Sequence, residues 1–113
     1  MAEQLSIDDV QFGPDLRVLK LTGALVLTTI FQLQQIVRAD TTPSLILDLT
    51  HVTYCDSAGI GALVNAHVSH TKNGRELALK GVNARVMEVL KITRVDQLFT
   101  FIPADAATSE ATS

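Results

Sequence analysis

The chain has 113 residues, enough for one domain with a core of its own and too few for a second. Hydrophobic residues make up 47% and charged ones 19%, which excludes a disordered chain or a coiled coil. Nine Lys and Arg against twelve Asp and Glu give a net charge of −3, and there are four Phe, one Tyr and no Trp. Such an acidic balance, without a base-stacking platform, excludes nucleic acid as the main partner.

Leu5, Ile7 and Val10, followed by alternating apolar residues from Leu16 to Thr22, predict two strands joined through the turn Gly13-Pro14-Asp15. Gly23 is expected to end the second strand. Thr28 or Thr29 then N-caps a helix in which Ile30, Leu33, Ile36 and Val37 recur at helical spacing, stopped by Thr41-Thr42-Pro43. Leu45 to Leu49 is short and apolar, as a central strand buried on both faces would be. His51 to Asp56 reads as a loop, and Ser57 as the N-cap of a second helix with Ile60, Leu63, Val64, Val68 and Thr71 on one face and Gly74 at its end. Leu77-Ala78-Leu79 forms the next strand, Val86, Val89 and Leu90 the inner face of a third helix, and Leu98 to Ile102 a last strand.

This alternation predicts an α/β domain over residues 1–103: a mixed sheet with parallel inner strands, an antiparallel N-terminal edge, and helices packed on the sheet. Residues 104–113 contain only Ala, Asp, Thr, Ser and Glu and read as a disordered, dispensable tail. Cys55 is the single cysteine, so no internal disulfide can form, and a reducing compartment is expected. Met1-Ala2-Glu3-Gln4 lacks the basic start of a signal peptide, and no apolar run reaches the roughly eighteen residues of a membrane span. A cytoplasmic protein without direct membrane insertion is the expectation.

Ligands of such sheets meet the loops at the carboxyl ends of the parallel strands, which directs attention to Asp56-Ser57-Ala58-Gly59-Ile60-Gly61. Two glycines in the first turns of a helix each cost about 1 kcal/mol relative to Ala, so something must compensate. Either they pack tightly on the sheet, or they let a partner approach a helix start that favours anions. A dinucleotide site fails, because Val64 stands at the third glycine position and Lys80 where a ribose-binding acid is needed. No cofactor is therefore expected. His51, His67, His70 and Cys55 lack the spacing of a metal set, and by helical phase His67 falls on the inner stripe while His70 lies at its edge.

The run from Leu45 to Leu63, with Asp56-Ser57-Ala58-Gly59-Ile60-Gly61 opening a helix after a buried strand, resembles the signature of STAS domains. The resemblance extends from about Leu16 through Leu21-Thr22-Gly23 to the segment Leu90 to Phe99. In stand-alone bacterial members it implies a non-enzymatic partner switch: an anti-sigma factor antagonist binds an anti-sigma factor of the serine-kinase type, and that kinase phosphorylates a serine. Ser57 matches this serine. The family's acidic pair Gly-Glu-x-Asp is replaced by Gly23-Ala24-Leu25-Val26, so the stretch Ala24-Leu25-Val26-Leu27, with Leu25 and Val26 as its contact residues, is expected to offer an apolar surface beside the Asp56–Gly61 segment. A second serine frequent in the family is Ala58 here. The alternative is an adaptor subunit that docks on a transporter ATPase, as in lipid transport, without phosphorylation. A small hydrolase using Ser57 or Cys55 with a histidine ranks far below both.

Overall fold

The computed structural model describes residues 4–106. Five strands and three helices follow one another as β1 (Leu5–Phe12), β2 (Leu16–Leu25), α1 (Ile30–Ala39), β3 (Ser44–Cys55), α2 (Ser57–Lys72), β4 (Glu76–Lys80), α3 (Ala84–Ile92) and β5 (Thr100–Ile102), with a short 3₁₀ turn over Asp96–Leu98. They form one sheet in the order β1-β2-β3-β4-β5, with β1 antiparallel to β2 and every other pair parallel. The expected mixed sheet is thus present.

Right-handed crossovers between strands that advance in a single direction place all three helices on one face. The core lies between that face and the helices. Leu19, Leu21, Leu45, Leu47, Leu49, Leu77 and Leu79 from the strands meet Leu33, Val37, Ile60, Leu63, Val86 and Leu90 from the helices. On the other face Asp8, Lys20, Asp48 and Lys80 lie in register across four strands.

Several boundaries differ from expectation. β2 passes Gly23 and runs to Leu25, while His51–Cys55 is the second half of β3 and not a loop. Register shifts between Lys20 and Thr22 and between Gly23 and Ala24 carry the pairing past an irregularity that breaks the two-residue alternation. Gly23 has φ +117°, and a Cβ there would collide with the Gln4 carbonyl oxygen. Leu98 and Phe99 precede the last strand, which starts at Thr100. Of the expected tail, residues 107–113 lie outside the described residues.

The buried face of α2 also differs. It consists of Gly59, Ile60, Ala62, Leu63, Ala66 and His70, whereas Val68 is half-exposed and Thr71 exposed. Small residues let the helix sit close to the sheet, and this rotates the contact face away from the larger side chains. His70, expected at an edge, is completely buried. Its Nε2 lies 3.0 Å from Asp40 Oδ2 and its Nδ1 3.2 Å from the Ala66 carbonyl oxygen. Asp40 also accepts from Arg17 at 3.0 Å and from the Thr42 hydroxyl at 2.8 Å, and Arg17 reaches on to Asp9. Burial pushes the Asp40 carboxyl up, but hydrogen bonds from His70, Thr42 and Arg17 outweigh it and hold the group below its ordinary value of 3.8. One buried carboxylate thereby ties the ends of α1 and α2 to the start of β2.

Candidate functional site at the start of the second helix

The segment singled out from the sequence sits where β3 leaves the sheet. Asp56, not Ser57, is the N-cap of α2: its backbone is extended, and its Oδ1 accepts from the Gly59 amide at 2.8 Å. Its Oδ2 accepts from the Leu27 amide at 3.2 Å, and its own amide donates to the Leu25 carbonyl oxygen at 3.3 Å. A single residue, through its side chain and its amide, thus fixes the helix start, the end of β2 and the turn into α1 relative to one another.

Ser57 is relieved of capping and becomes the first helical residue, exposed to solvent. Among the described residues none hydrogen-bonds its hydroxyl. Ala58 beside it is half-buried, while Gly59 and Ile60 are buried. The hydroxyl therefore stands free on a rigid support, at a helix terminus where unpaired amides and the helix dipole favour an anion.

The two glycines have separate causes. A Cβ on Gly59 would collide with the Leu25 carbonyl oxygen and come within 2.8 Å of Cys55 Sγ, so this glycine exists for close packing of α2 on the end of β2. At Gly61 a Cβ meets nothing within 4 Å. Internal packing therefore leaves Gly61 unexplained, and its backbone is open to an incoming surface.

Leu25 and Val26 are not exposed. Leu25 has no accessible surface and Val26 only 7%, because β2 continues through Leu25 and the chain then turns inward. The Thr29 hydroxyl holds that turn by donating to the Ala24 carbonyl at 2.8 Å and accepting from the Val26 amide at 3.0 Å. It makes no cap bond to α1, although Thr29 occupies the cap position. The expectation of an exposed apolar surface is thus corrected at Leu25 and Val26, which are buried with Ala24, and of that stretch Leu27 alone projects, with 70% of its surface exposed. Phe31 in the first turn of α1 and Tyr54 near the end of β3 are exposed at the same end of the sheet. Sequence reasoning included Leu27 only as the end of the apolar stretch and missed Phe31 and Tyr54; the signal available for Phe31 was the uncharged stretch in which it lies with Leu27.

The remaining candidates do not converge on Ser57. Burial, aided by the neighbouring Asp56 charge, pushes the Cys55 thiol up to about 12, which keeps it protonated and unreactive. His70 is taken up by Asp40, His67 packs edge-on against Phe99 at a ring separation of 5.4 Å, and His51 is exposed on β3. Among the described residues no three His, Cys, Asp or Glu side chains cluster as a metal set would.

Comparison with known proteins agrees with this architecture. An anti-sigma-B factor antagonist of Staphylococcus aureus is 30% identical over 82 residues, spanning 70% of this chain and 76% of that protein. Among solved structures, an anti-sigma factor antagonist from Mycobacterium paratuberculosis superposes with a TM-score of 0.77 at 19% identity, over 88% of this chain and 86% of that one. SpoIIAA in its unphosphorylated form gives 0.76 at 14% identity, over 95% and 93%. The Bacillus SpoIIAA structure in the phosphorylated form gives 0.74 at 14% identity, over 95% and 96%. These structures share the fold, and the sequence profile of the STAS domain matches residues 9–109. With that profile spanning the end of β1, all of β2 to β5 and the Asp56–Gly61 helix start, the chain belongs to the STAS domain family.

Proposed function

We propose that this protein is an anti-sigma factor antagonist, a non-enzymatic partner switch whose docking surface centres on the start of α2 and whose state is set by phosphorylation of Ser57. The observation that carries the reading is the placement of Ser57. It is exposed on the first helical residue, relieved of structural duty by Asp56, and set between half-buried Asp56 and Ala58, with buried Cys55 and Gly59 beyond them.

A phosphate there adds about −1.5 to −2 charges. The free protein tolerates it, because the helix terminus stabilises an anion by about 0.3–1 kcal/mol. The complex does not, because enclosing an unpaired dianion in an interface costs several kcal/mol, and even about 3 kcal/mol weakens binding more than a hundredfold. The partner in this reading is an anti-sigma factor of the serine-kinase type in the cytoplasm. Among the described residues no helix is long and apolar enough to cross a membrane. A hydrolytic role for Ser57 or Cys55 finds no support, since neither has a histidine within hydrogen-bonding reach among the described residues and the thiol stays protonated.

The test is titration calorimetry of the anti-sigma kinase with wild type, Ser57→Ala and Ser57→Glu, folding being checked by circular dichroism. Phosphate transfer to Ser57 is followed by mass spectrometry. Wild type and Ser57→Ala should bind alike and Ser57→Glu at least a hundredfold more weakly. Equal affinities for all three folded proteins would refute the charge switch and favour docking on a transporter ATPase without phosphorylation.

A further inference from the structure

We infer that the face around Ser57 recognises a protein partner through an uncharged, apolar contact, with Leu27 as the anchor that enters an apolar pocket on that partner. The inference rests on the Ser57 reading above and adds the chemistry of the partner to it. Its origin is a charge pattern. Residues 21–37 contain no Asp, Glu, Lys or Arg, and residues 49–71 contain only Asp56. The fold brings parts of these two stretches together at the carboxyl ends of β2 and β3, where α1 and α2 begin.

On that end of the molecule Leu27 is 70%, Phe31 64% and Tyr54 48% exposed. Exposed aliphatic and aromatic residues in a field depleted of charge are the composition of an interface core and not of a solvated rim. Asp56 does not break the pattern, since both of its oxygens accept from backbone amides, those of Gly59 and Leu27. The same carboxylate ties Leu27 to the helix that carries Ser57, so anchor and switch are held as one rigid surface. The Thr29 hydroxyl braces the turn from behind through Ala24 and Val26. An anchor fixed before binding loses little freedom on docking. A phosphate on Ser57 would land on a face whose two segments hold no Lys or Arg to pair with it.

Binding driven by desolvation is insensitive to salt, whereas binding by ion pairs is not. The probe is each purified kinase-type anti-sigma factor of the source organism, titrated with wild type, Leu27→Ser, Ser57→Glu and the control Ile92→Ser, an exposed apolar residue at the far end of α3. Leu27→Ser should weaken binding at least tenfold and Ile92→Ser by less than about twofold. Wild-type affinity should change by less than about threefold between roughly 0.05 and 0.5 M NaCl. Loss of binding in Ser57→Glu with no effect of Leu27→Ser, or a tenfold or greater weakening by salt, would overturn the apolar contact and leave the Ser57 switch standing. The reverse result, loss in Leu27→Ser alone, would support the anchor and remove the switch. Failure of every such kinase to bind wild type would overturn both. Sedimentation of the same proteins checks the remaining occupant: a wild-type dimer that Leu27→Ser dissociates, with kinase binding unaltered, would assign the face to a second copy and overturn the inference.

Discussion

Alanine substitutions at the two glycines of α2, two residues apart, should have opposite signs. Replacing either one in a helix gains about 1 kcal/mol in intrinsic propensity. At Gly59 the new methyl meets the Leu25 carbonyl oxygen, part of a strand that cannot swing aside as a flexible side chain can, and also Cys55 Sγ. Overpacking of this kind costs about 1–3 kcal/mol, and a backbone collision belongs at the upper end. The net effect of Gly59→Ala is then a loss of about 2 kcal/mol, a fall in melting temperature of about 10 °C for a domain of this size. At Gly61 nothing lies within 4 Å of the added atom, so Gly61→Ala should keep the full propensity gain and melt about 4–8 °C higher. Thermal and urea unfolding followed by circular dichroism measure both. A neutral or stabilising Gly59→Ala, or a destabilising Gly61→Ala, would refute the assignment of one glycine to packing and the other to an open surface.

The capping assignment predicts that Asp56→Ala costs about 1–2 kcal/mol in urea unfolding, whereas Ser57→Ala stays within about 0.5 kcal/mol; equal losses would return the cap to Ser57. Asp40→Asn should cost about 3 kcal/mol at neutral pH, because it leaves buried partners without their carboxylate. Since the Asp40 carboxyl is held below 3.8 in the folded protein, its contribution is present above that value and is lost as the pH falls through the lowered one. Asp40→Asn should therefore flatten the decline of stability measured below about pH 4. Cys55 should resist a thiol reagent at pH 8 in the native protein and react fully in urea; rapid native labelling would contradict its burial and raised pKa.

The element order was legible because each strand–helix unit has its own apolar period and its own punctuation, as Gly74 at φ +74° after α2 illustrates. The second half of β3 was not, since exposed His51, Thr53 and Tyr54 resemble a loop once the register shift removes the alternation. The face of α2 was misjudged because Gly59, Ala62 and Ala66 pack tightly while contributing little hydrophobicity to any periodic count. His70 could not be placed from its own helix: its partner Asp40 lies 30 residues away, and only contact with it makes the buried imidazole tolerable. Arg17 did carry a signal, standing in the same alternating row as Leu19 and Leu21 where a charge needs a buried partner. The helix start at Asp56 to Gly61 was found by its unusual glycines, but the division of labour between Asp56 and Ser57 required coordinates.

The sheet order β1-β2-β3-β4-β5 has a consequence for how the molecule is made. Each strand pairs with its immediate predecessor in the chain, so every new junction closes a loop containing at most one helix, and the entropy of closure never accumulates over distant segments. The sheet can extend from its amino-terminal hairpin as the polypeptide leaves the ribosome, each helix folding down behind the strand just added. Leu27, Asp56 and Ser57 all precede β4 in the chain, and the ladder between β2 and β3 that positions them needs no residue beyond Cys55. The proposed docking surface is thus outlined before β4 and β5 join the sheet, and the later elements arrive to seal the core beneath it.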